Sequence, residues 1–276
     1  MTRNVLITGG NSGIGYEMAL ALAAQGDHVL IGSRNAEKTQ AALARIRAAH
    51  ASALIDALPL DLADFSSVDA FAAAALEKMP VIDVLILNAG VYTIKLHTQA
   101  NGYEAMMGSM HFGHFRLAQH LLGAVKAATQ GRIVVTSSMI HKMGKIDEAS
   151  FTDPTQHRSS MHAYGQAKLA NLLFTRELAH RLKNTPVTVN AFHPGAVGTD
   201  IYRQVPKLLQ PLIKAFMLTP KQGADTALWL ATAPELEKVS GEYFVSRKRK
   251  PGSALSRDPE LARKLWQMSE QKLAAV

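Results

Sequence analysis

Short apolar segments alternate with longer helical patterns along all 276 residues, and this alternation constrains the fold more than any other feature. Strand-like runs rich in Val, Ile and Leu occur near 5–8, 28–31, 54–60, 82–87, 132–136, 187–192 and 242–245. Repeated strand–helix–strand units with apolar strands are typical of a parallel sheet that helices cover on both faces. Because no linker or composition break interrupts the pattern, we predict a single α/β domain over 1–276, with a doubly wound parallel sheet of about seven strands.

Composition narrows the function classes. The chain has no cysteine, which excludes disulfide scaffolds, zinc fingers, iron–sulfur clusters and thiol nucleophiles and fits a reducing compartment, so we expect a cytoplasmic protein. We expect neither a signal peptide nor a membrane span, because no long apolar run is present. The net charge of +8 leaves nucleic acid, a membrane surface and an anionic small molecule open as partners. The basic run at 247–250 is interpreted as a solvated turn, and no nucleic-acid motif accompanies it.

A glycine-rich turn follows the first strand. The sequence Thr8-Gly9-Gly10-Asn11-Ser12-Gly13-Ile14-Gly15 leads directly into a helix. Glycines allow positive φ and close approach of a pyrophosphate, and a helix N-terminus attracts its negative charge. A tight turn without a ligand is the alternative, but the strand-to-helix context favours a nucleotide site. The predicted contacts are Gly9, Asn11, Ser12, Gly13, Ile14 and Gly15.

The order of the motifs resembles the short-chain dehydrogenase/reductase family. Its Thr-Gly-x-x-x-Gly-Ile-Gly fingerprint is present, and four further motifs occur in family order. They are Asn88-Ala89-Gly90, Ser138, Tyr164-x-x-x-Lys168 and His193-Pro194-Gly195. The segments 163–178, 193–200 and 240–244 resemble the retinol-dehydrogenase-like branch. The resemblance implies a Rossmann-type fold and an oxidoreductase of the EC 1.1.1 type that acts on alcohol or carbonyl groups with a nicotinamide cofactor.

The end of the second strand bears on the choice of cofactor. An acidic residue there would bind the ribose hydroxyl of NAD, whereas a cation suits the 2′-phosphate of NADP. This chain has Ser33 and Arg34 at that point, and Lys38 follows one helical turn later. The planar guanidinium of Arg34 offers a donor fork for a phosphate, although a solvent-facing arginine is the alternative. We therefore predict NADP(H) in preference to NAD(H).

The resemblance implies more cofactor contacts. Asp61 and Leu62 match an adenine-contacting pair, although Asp61 also suits a helix N-terminus, and Asn88 has a structural as well as a cofactor role in the family. Lys168 would hold the nicotinamide ribose, next to Tyr164. The remaining implied contacts are Ala89, Gly90, Pro194, Gly195, Val197 and Thr199.

A tyrosine and a lysine one helical turn apart carry the predicted chemistry. Tyr164 and Lys168 share one helix face. Free tyrosine has a pKa of about 10, and a nearby ammonium favours its phenolate. Tyr164 can then donate a proton to a carbonyl oxygen or accept one from an alcohol. The family pattern assigns substrate positioning to Ser138, with the adjacent Ser137 as the competing candidate.

One position departs from the family pattern. Many members carry an asparagine in the helix before the serine motif, where it supports a water chain behind the lysine. Met110 stands here instead, and a thioether cannot donate a hydrogen bond. Three explanations are open: water bound to backbone carbonyls, replacement by Ser109 or His111, or a reaction with less proton supply. His111 and His114 are interpreted as packing and capping residues, and no metal site is predicted.

Two segments are predicted to cover the substrate, namely 139–160 and 196–219. The second is apolar and is a lid, core packing or a partner surface; a lid implies a hydrophobic carbonyl or alcohol substrate. The helices near 102–128 and 161–182 pair in family dimers, so a homodimer or homotetramer is possible. The competing function is an NADP-binding sensor or regulatory protein with little turnover. A light-dependent pigment reductase is disfavoured by the lack of cysteine.

Overall fold

The computed structural model describes residues 2–195 and 218–275. In these residues the strands form one sheet in the order β3-β2-β1-β4-β5-β6-β7-β8. The fold class is as predicted, but the sheet has eight strands rather than about seven. The strands are β1 (Asn4–Thr8), β2 (His28–Ser33), β3 (Ile55–Pro59), β4 (Val84–Leu87), β5 (Arg132–Thr136), β6 (Thr188–His193), β7 (Tyr243–Val245) and β8 (Lys248–Lys250).

Helices cover both faces of this sheet. They are α1 (Gly13–Ala24), α2 (Ala36–Ala49), α3 (Phe65–Lys78), α4 (Ala105–Met107), α5 (His114–Lys126), α6 (Ser160–Arg181), α7 (Pro220–Thr232) and α8 (Pro259–Ala274). Within the described ranges, none of them is both long and apolar enough to span a membrane.

The strand order places the candidate site. β1 lies between β2 and β4, and all three run parallel. The chain winds outward from β1 through β2 to β3 and then returns to the other side of β1 with β4. Such a switch point opens a crevice at the carboxyl ends of the strands, where ligands bind in open α/β sheets. The glycine-rich turn, the Asn88 segment and Ser138 all follow strands at this edge.

Two hydrophobic clusters hold the helices on the sheet. Alternate residues of a strand face opposite sides, so Leu6 and Leu30 belong to one cluster while Ile7 and Ile31 belong to the other. These four side chains are fully buried. The near-continuous apolar strands that the sequence shows are therefore explained by burial on both faces.

The additional strand lies in the basic run. Ser246 and Arg247 have φ of 50° and 58° and join β7 to β8, which pair antiparallel. Positive φ at both central residues is the requirement of a two-residue type I′ hairpin turn. The interpretation of 247–250 as a turn is thus incomplete, because its last three residues form an exposed edge strand. Lysines on an edge strand discourage pairing with another chain.

The helix predicted over 102–128 is interrupted. Between α4 and α5 lies a π segment (Gly108–Gly113), which contains Met110. A Cβ added at Gly113 would lie 2.3 Å from the carbonyl oxygen of Leu62, so the π segment ends where the backbone packs directly on the loop after β3. π segments inside helices frequently mark functional sites.

The C-terminal helix lies across α6. The rings of Phe174 and Trp266 stack with centroids 5.9 Å apart, and Leu173 shares a hydrophobic cluster with Leu265. A dimer through the helix predicted over 161–182 needs an open face on that helix. Many of its central residues are buried within the chain, and α8 packs against it.

Candidate active site

The glycine-rich turn folds tightly against the start of α1. Gly9 and Gly13 have φ of 71° and 53°, a region that favours glycine. A Cβ added at Gly15 would lie 2.1 Å from the carbonyl oxygen of Gly9, so only glycine permits this packing. The Ser12 side chain makes no cap hydrogen bond to α1.

This lack of a cap distinguishes α1 from the other described helices that begin at a loop. Their cap residues, which accept backbone N–H groups, are Asn35, Asp64, Glu104, Ser159, Thr219 and Asp258. The first turn of α1 therefore keeps N–H groups for a ligand, and its helix dipole adds positive potential. This donor set fits the pyrophosphate of a dinucleotide.

The segment after β4 is fastened to the end of β1. The hydroxyl of Thr8 accepts the backbone N–H groups of Asn88 and Ala89, with N···O distances of 2.9 and 3.0 Å. The Asn88 amide donates to the carbonyl of Thr8 at 3.0 Å. Asn88 therefore has the structural role that the sequence allowed for, and it brings Ala89 and Gly90 beside the glycine-rich turn.

Arg34 and Asp61 meet at the far end of the crevice. An Arg34 guanidinium nitrogen lies 3.8 Å from an Asp61 carboxylate oxygen, and the Arg34 side chain is 72% exposed. The same carboxylate accepts the backbone N–H of Ala63 at 3.0 Å. The structure thus brings together two of the predicted cofactor residues, which follow β2 and β3, and leaves the guanidinium accessible.

A cluster of hydroxyl groups lies at the same end of the crevice, beside Arg34 in the chain. Ser33 is hydrogen-bonded to Thr39, and the Asn11 amide donates to the Thr39 hydroxyl at 3.2 Å. Lys38 is exposed on the first turn of α2, next to this cluster in the chain. Thr39 links the glycine-rich turn to the end of β2, and sequence reasoning missed it because its contact with Asn11 joins residues 28 apart in the chain.

The two adjacent serines after β5 have different environments. Ser137 is buried and donates its hydroxyl to the Lys168 carbonyl at 2.9 Å, which fixes β5 to α6. Ser138 caps a 3₁₀ turn (Met139–Met143), where its oxygen accepts the N–H of Ile140 at 3.2 Å. As an acceptor in this bond, the Ser138 hydroxyl keeps its own proton to donate.

Lys168 is a buried cation beside Tyr164. Its ammonium nitrogen lies 5.5 Å from the centroid of the Tyr164 ring. It donates to the carbonyl of Thr136 at 3.1 Å, an acceptor that it shares with the Asn171 amide at 3.0 Å. Burial lowers the pKa of Lys168 to about 8. Asn171, one turn beyond Lys168, was not anticipated from the sequence.

Two glycines bring Ser138 close to this helix. A Cβ added at Gly144 would lie 2.2 Å from the carbonyl oxygen of Gly165, and one at Gly165 would meet the Gly144 nitrogen at 2.9 Å. Gly165 is adjacent to Tyr164 in α6. The turn that starts at Ser138 therefore packs directly, backbone on backbone, against the helix that carries Tyr164 and Lys168.

Two buried histidines lie behind the serine. The His141 Nδ1 atom is 2.6 Å from the Ser138 carbonyl and therefore donates, while Nε2 accepts the N–H of Ser253 at 3.1 Å. His193 has no hydrogen-bond partner for either ring nitrogen within the described part of the chain. Burial lowers the pKa of His193 to about 4. Sequence reasoning did not predict the link from His141 to Ser138.

Met110 lies where the family pattern places its asparagine. A Cβ added at Gly90 would contact the Met110 sulfur at 3.4 Å and the Lys168 nitrogen at 3.7 Å, so thioether and ammonium border the same glycine. Ser109 and His111, the two residues suggested as replacements for the asparagine, form their side-chain hydrogen bonds with other residues. Ser109 exchanges hydrogen bonds with the Gln99 amide, and the His111 ring lies 2.8 Å from the Ser269 hydroxyl in α8.

Of the remaining predicted residues, some lie within the ranges that the structure describes and others lie outside them. Pro194 and Gly195 follow β6, and Gly195 has φ of 89°. Val197, Thr199 and most of the predicted covering segment, 196–217, lie outside the described residues. In the other segment, 139–160, three short 3₁₀ turns replace regular structure. No group of three or more potential His, Asp or Glu metal ligands occurs among the described residues.

Fold and motif geometry agree with the comparison to known proteins. A family model described as short chain dehydrogenase matches residues 3–209, and the chain therefore belongs to the short-chain dehydrogenase/reductase family. Within this family it is similar to the retinol dehydrogenases. The resemblance seen in the motifs is thus confirmed.

Identity extends over nearly the whole chain. The protein is 39% identical to retinol dehydrogenase 14 of Homo sapiens, in an alignment that covers 97% of this chain and 85% of the relative. It is 40% identical to retinol dehydrogenase 12 of Mus musculus, with 96% and 84% covered. A crystal structure of an uncharacterised protein from Mycobacterium Paratuberculosis is 31% identical, with a TM-score of 0.79 and coverage of 99% of this chain and 93% of that one.

Proposed function

We propose that this short-chain dehydrogenase/reductase is an NADP-dependent enzyme that transfers a hydride between nicotinamide and a carbonyl or alcohol carbon of a hydrophobic small molecule. One observation carries the proposal: the buried Lys168 ammonium faces the Tyr164 ring while the Ser138 turn packs on the same helix. A nicotinamide cofactor supplies or accepts the hydride when bound.

The chain's own residues handle the proton and the substrate oxygen. In the reductive direction the Tyr164 hydroxyl donates its proton to the carbonyl oxygen. The Lys168 ammonium stabilises the phenolate that remains, and the Ser138 hydroxyl donates a hydrogen bond to the same oxygen. Oxidation of an alcohol uses the same groups in reverse. Reduction is the expected direction, since NADP pools usually serve it.

Arg34 supports the choice of NADP. Its exposed guanidinium follows β2, and an added phosphate would compete for it with the Asp61 carboxylate, which lies at 3.8 Å. Lys38 adds a second positive charge at the start of α2. The other proposed contacts are the glycine-rich turn, Ser33, Leu62, the segment from Asn88 to Gly90, and the residues after β6.

A hydrophobic substrate is favoured by the rim of the site. Met139, Met143 and Met161 are exposed on the turn after Ser138 and at the start of α6, and Ile94 is exposed on the loop after β4. Exposed apolar side chains close in sequence to Gly90, Ser138 and Tyr164 favour an apolar ligand at this site. The names of the relatives, retinol dehydrogenases, describe a hydrophobic alcohol as their substrate.

Turnover separates an enzyme from the alternative, an NADP-binding regulator, which the methionine at position 110 favours. Purified protein is screened against aldehydes and ketones with NADPH and with NADH, and loss of nicotinamide absorbance is followed. We expect Tyr164→Phe to lower kcat by at least about 10²-fold while NADPH binding is retained. Tyr92→Phe is the matched control, because it removes the hydroxyl of a neighbouring tyrosine, which is hydrogen-bonded to Ser160 at 2.9 Å, and keeps the ring. Tight NADPH binding without turnover on any carbonyl would instead support the regulator.

The cofactor preference is tested by charge reversal. Arg34→Asp removes a charged donor for the 2′-phosphate and supplies an acceptor for a ribose hydroxyl, so we expect the ratio of kcat/KM for NADPH to that for NADH to fall at least about tenfold. Arg263→Asp, an exposed substitution in α8, controls for net charge. An unchanged ratio in Arg34→Asp would refute the phosphate-binding role.

A further inference from the structure

His114 connects the end of β1 with the π segment, in which Met110 stands where the family pattern has an asparagine. The ring is 3% exposed at the start of α5. Its Nε2 atom lies 2.9 Å from the Thr8 hydroxyl, and its Nδ1 atom lies 3.1 Å from the Met110 carbonyl oxygen. One side chain thus spans from the end of β1 to the π segment.

The direction of these hydrogen bonds follows from the Thr8 hydroxyl. Its oxygen already accepts the N–H groups of Asn88 and Ala89. Its proton is therefore the group left to contact His114, whose Nε2 at 2.9 Å is nearer than the Ile86 carbonyl at 3.5 Å. Nε2 accepts, so Nδ1 carries the ring proton and donates to the Met110 carbonyl. Burial lowers the pKa of His114 to about 3, which keeps the ring in this neutral form.

The resulting chain of hydrogen bonds ties three segments together. The N–H groups after β4 donate to Thr8, Thr8 donates to His114, and His114 donates to the π segment. The Met110 sulfur and the Lys168 ammonium both lie within 4 Å of a Cβ added at Gly90, so the π segment contributes to the surroundings of the lysine. The fully buried Thr8 leads into the glycine-rich turn.

We infer that His114 is a positioning residue, which anchors the Met110 carbonyl and the Thr8 hydroxyl in this chain and so fixes the wall between the glycine-rich turn and Lys168. The inference rests on the proposed function, because that wall faces the proposed nicotinamide half of the cofactor. The neighbours that sequence reasoning offered, Ser109 and His111, are directed to Gln99 and Ser269 instead.

The first test compares two buried histidines, one in the π segment and one at the start of α5. His114→Phe removes both hydrogen bonds and keeps an aromatic ring; His111→Phe is the matched control, since its ring is 2% exposed and bonds to α8. We expect the Kd for NADPH, measured by nucleotide fluorescence, to rise at least about tenfold in His114→Phe and less than threefold in His111→Phe, whatever the fall in Tm. Equal changes in Kd in the two variants would overturn the inference, as would an unchanged Kd in His114→Phe.

Two further variants separate the two bonds and guard against misfolding of the phenylalanine form. In His114→Asn the amide nitrogen takes the place of Nδ1 and keeps the donor to Met110. His114→Gln reaches further and keeps a partner for Thr8. We expect at least one of them to recover NADPH affinity to within about threefold of the unsubstituted chain. If neither variant binds NADPH more tightly than His114→Phe does, the hydrogen bonds of His114 do not support NADPH binding and the inference fails.

The readout also keeps this inference distinct from the proposed function. Nucleotide binding is measured without turnover. A protein that binds NADPH but reduces no carbonyl would contradict the proposed enzymatic function, yet the Kd values of the His114 and His111 variants would still test the inference. Where turnover is present, kcat is recorded as well. We expect His114→Asn to retain more of kcat than His114→Gln, because the π segment borders Lys168. The reverse order would contradict the role assigned to the Met110 carbonyl.

Discussion

Met110 lies in the π segment close to Lys168, and its side chain bears on how that segment is supported. Its sulfur borders Gly90 next to the Lys168 ammonium, yet a thioether is only a weak acceptor and cannot donate. The backbone carbonyl of Met110 is already bound by the His114 ring. The departure from the family pattern therefore removes an amide without leaving the π segment unsupported.

An asparagine at this position is expected to be tolerated. Met110→Asn adds an amide beside Lys168, which can support water there, while His114 continues to hold the backbone. We expect kcat to stay the same or to rise a few-fold, measured with the best carbonyl from the screen. Met107→Asn, at a buried site in the same apolar cluster, is the control and should lower Tm. A large loss of kcat in a folded Met110→Asn protein would contradict the prediction.

Contiguous motifs allow candidate site residues to be proposed from the sequence, because glycine spacing and the Tyr-x-x-x-Lys interval imply their geometry locally. Supporting residues were not. Thr8 lay within the quoted motif without an assigned role, and His114 was interpreted as a packing and capping residue. Thr8 and His114 meet although they are 106 residues apart, and a single histidine in a helix gives no signal of which distant partner it will meet.

At the scale of elements, one backbone contact governs the distance between the serine and the tyrosine. The 3₁₀ turn after β5 and the helix α6 meet at Gly144 and Gly165, where neither position has room for a Cβ. Because the turn begins at Ser138 and α6 carries Tyr164, this contact positions the two hydroxyls relative to each other. The glycine-rich turn follows β1 and is not part of this contact.

Filling this contact is expected to impair chemistry more than binding. In Gly144→Ala the new Cβ would stand 2.2 Å from the Gly165 carbonyl, so the turn must move away from α6. We expect kcat to fall at least about tenfold while the Kd for NADPH changes less than threefold. Gly123→Ala is the control: nothing lies within 4 Å of its Cβ, and alanine in a helix should stabilise the protein by about 0.5–1 kcal/mol. Equal losses in kcat and in affinity would argue against a local effect.

Local patterns predicted regular elements better than irregular ones. The strand predicted at 132–136 has the bounds of β5, and the helix predicted over 161–182 agrees with α6 to within one residue at each end, since their patterns lie in the sequence itself. The π segment was missed because its cause is tertiary, the approach of Gly113 to the Leu62 carbonyl. β8 was missed because three basic residues carry no strand pattern, and pairing with β7 through a tight turn creates the strand.

At the scale of the whole molecule, several imidazoles are buried in the fold. His111, His114 and His193 have pKa values lowered to about 3, 3 and 4 by burial. The pKa values of His141 and His157 are lowered for the same reason. Such groups stay neutral in the folded protein at a pH where the unfolded chain, with histidine pKa near 6.5, takes up protons.

The sign of the pH dependence follows. Above pH 6.5 the rings are neutral in both states and do not change the free energy of unfolding. As pH falls below 6.5, only the unfolded chain gains protons, so the free energy of unfolding decreases until the pKa of the folded state is reached. Each deeply buried ring then contributes a loss of about 2 kcal/mol between pH 7 and pH 5. Glu104 acts in the opposite direction, because burial raises its pKa, but it is one group against at least three.

Chemical denaturation of the cofactor-free protein at several pH values measures this loss. We expect the free energy of unfolding to fall by several kcal/mol from pH 7 to pH 5, before most carboxylates titrate. His111→Phe should reduce the dependence by about one proton, because one buried ring is gone, whereas His180→Gln, at an exposed histidine near the end of α6, should leave it unchanged. A free energy of unfolding that is constant over this range would contradict the lowered pKa values of these histidines.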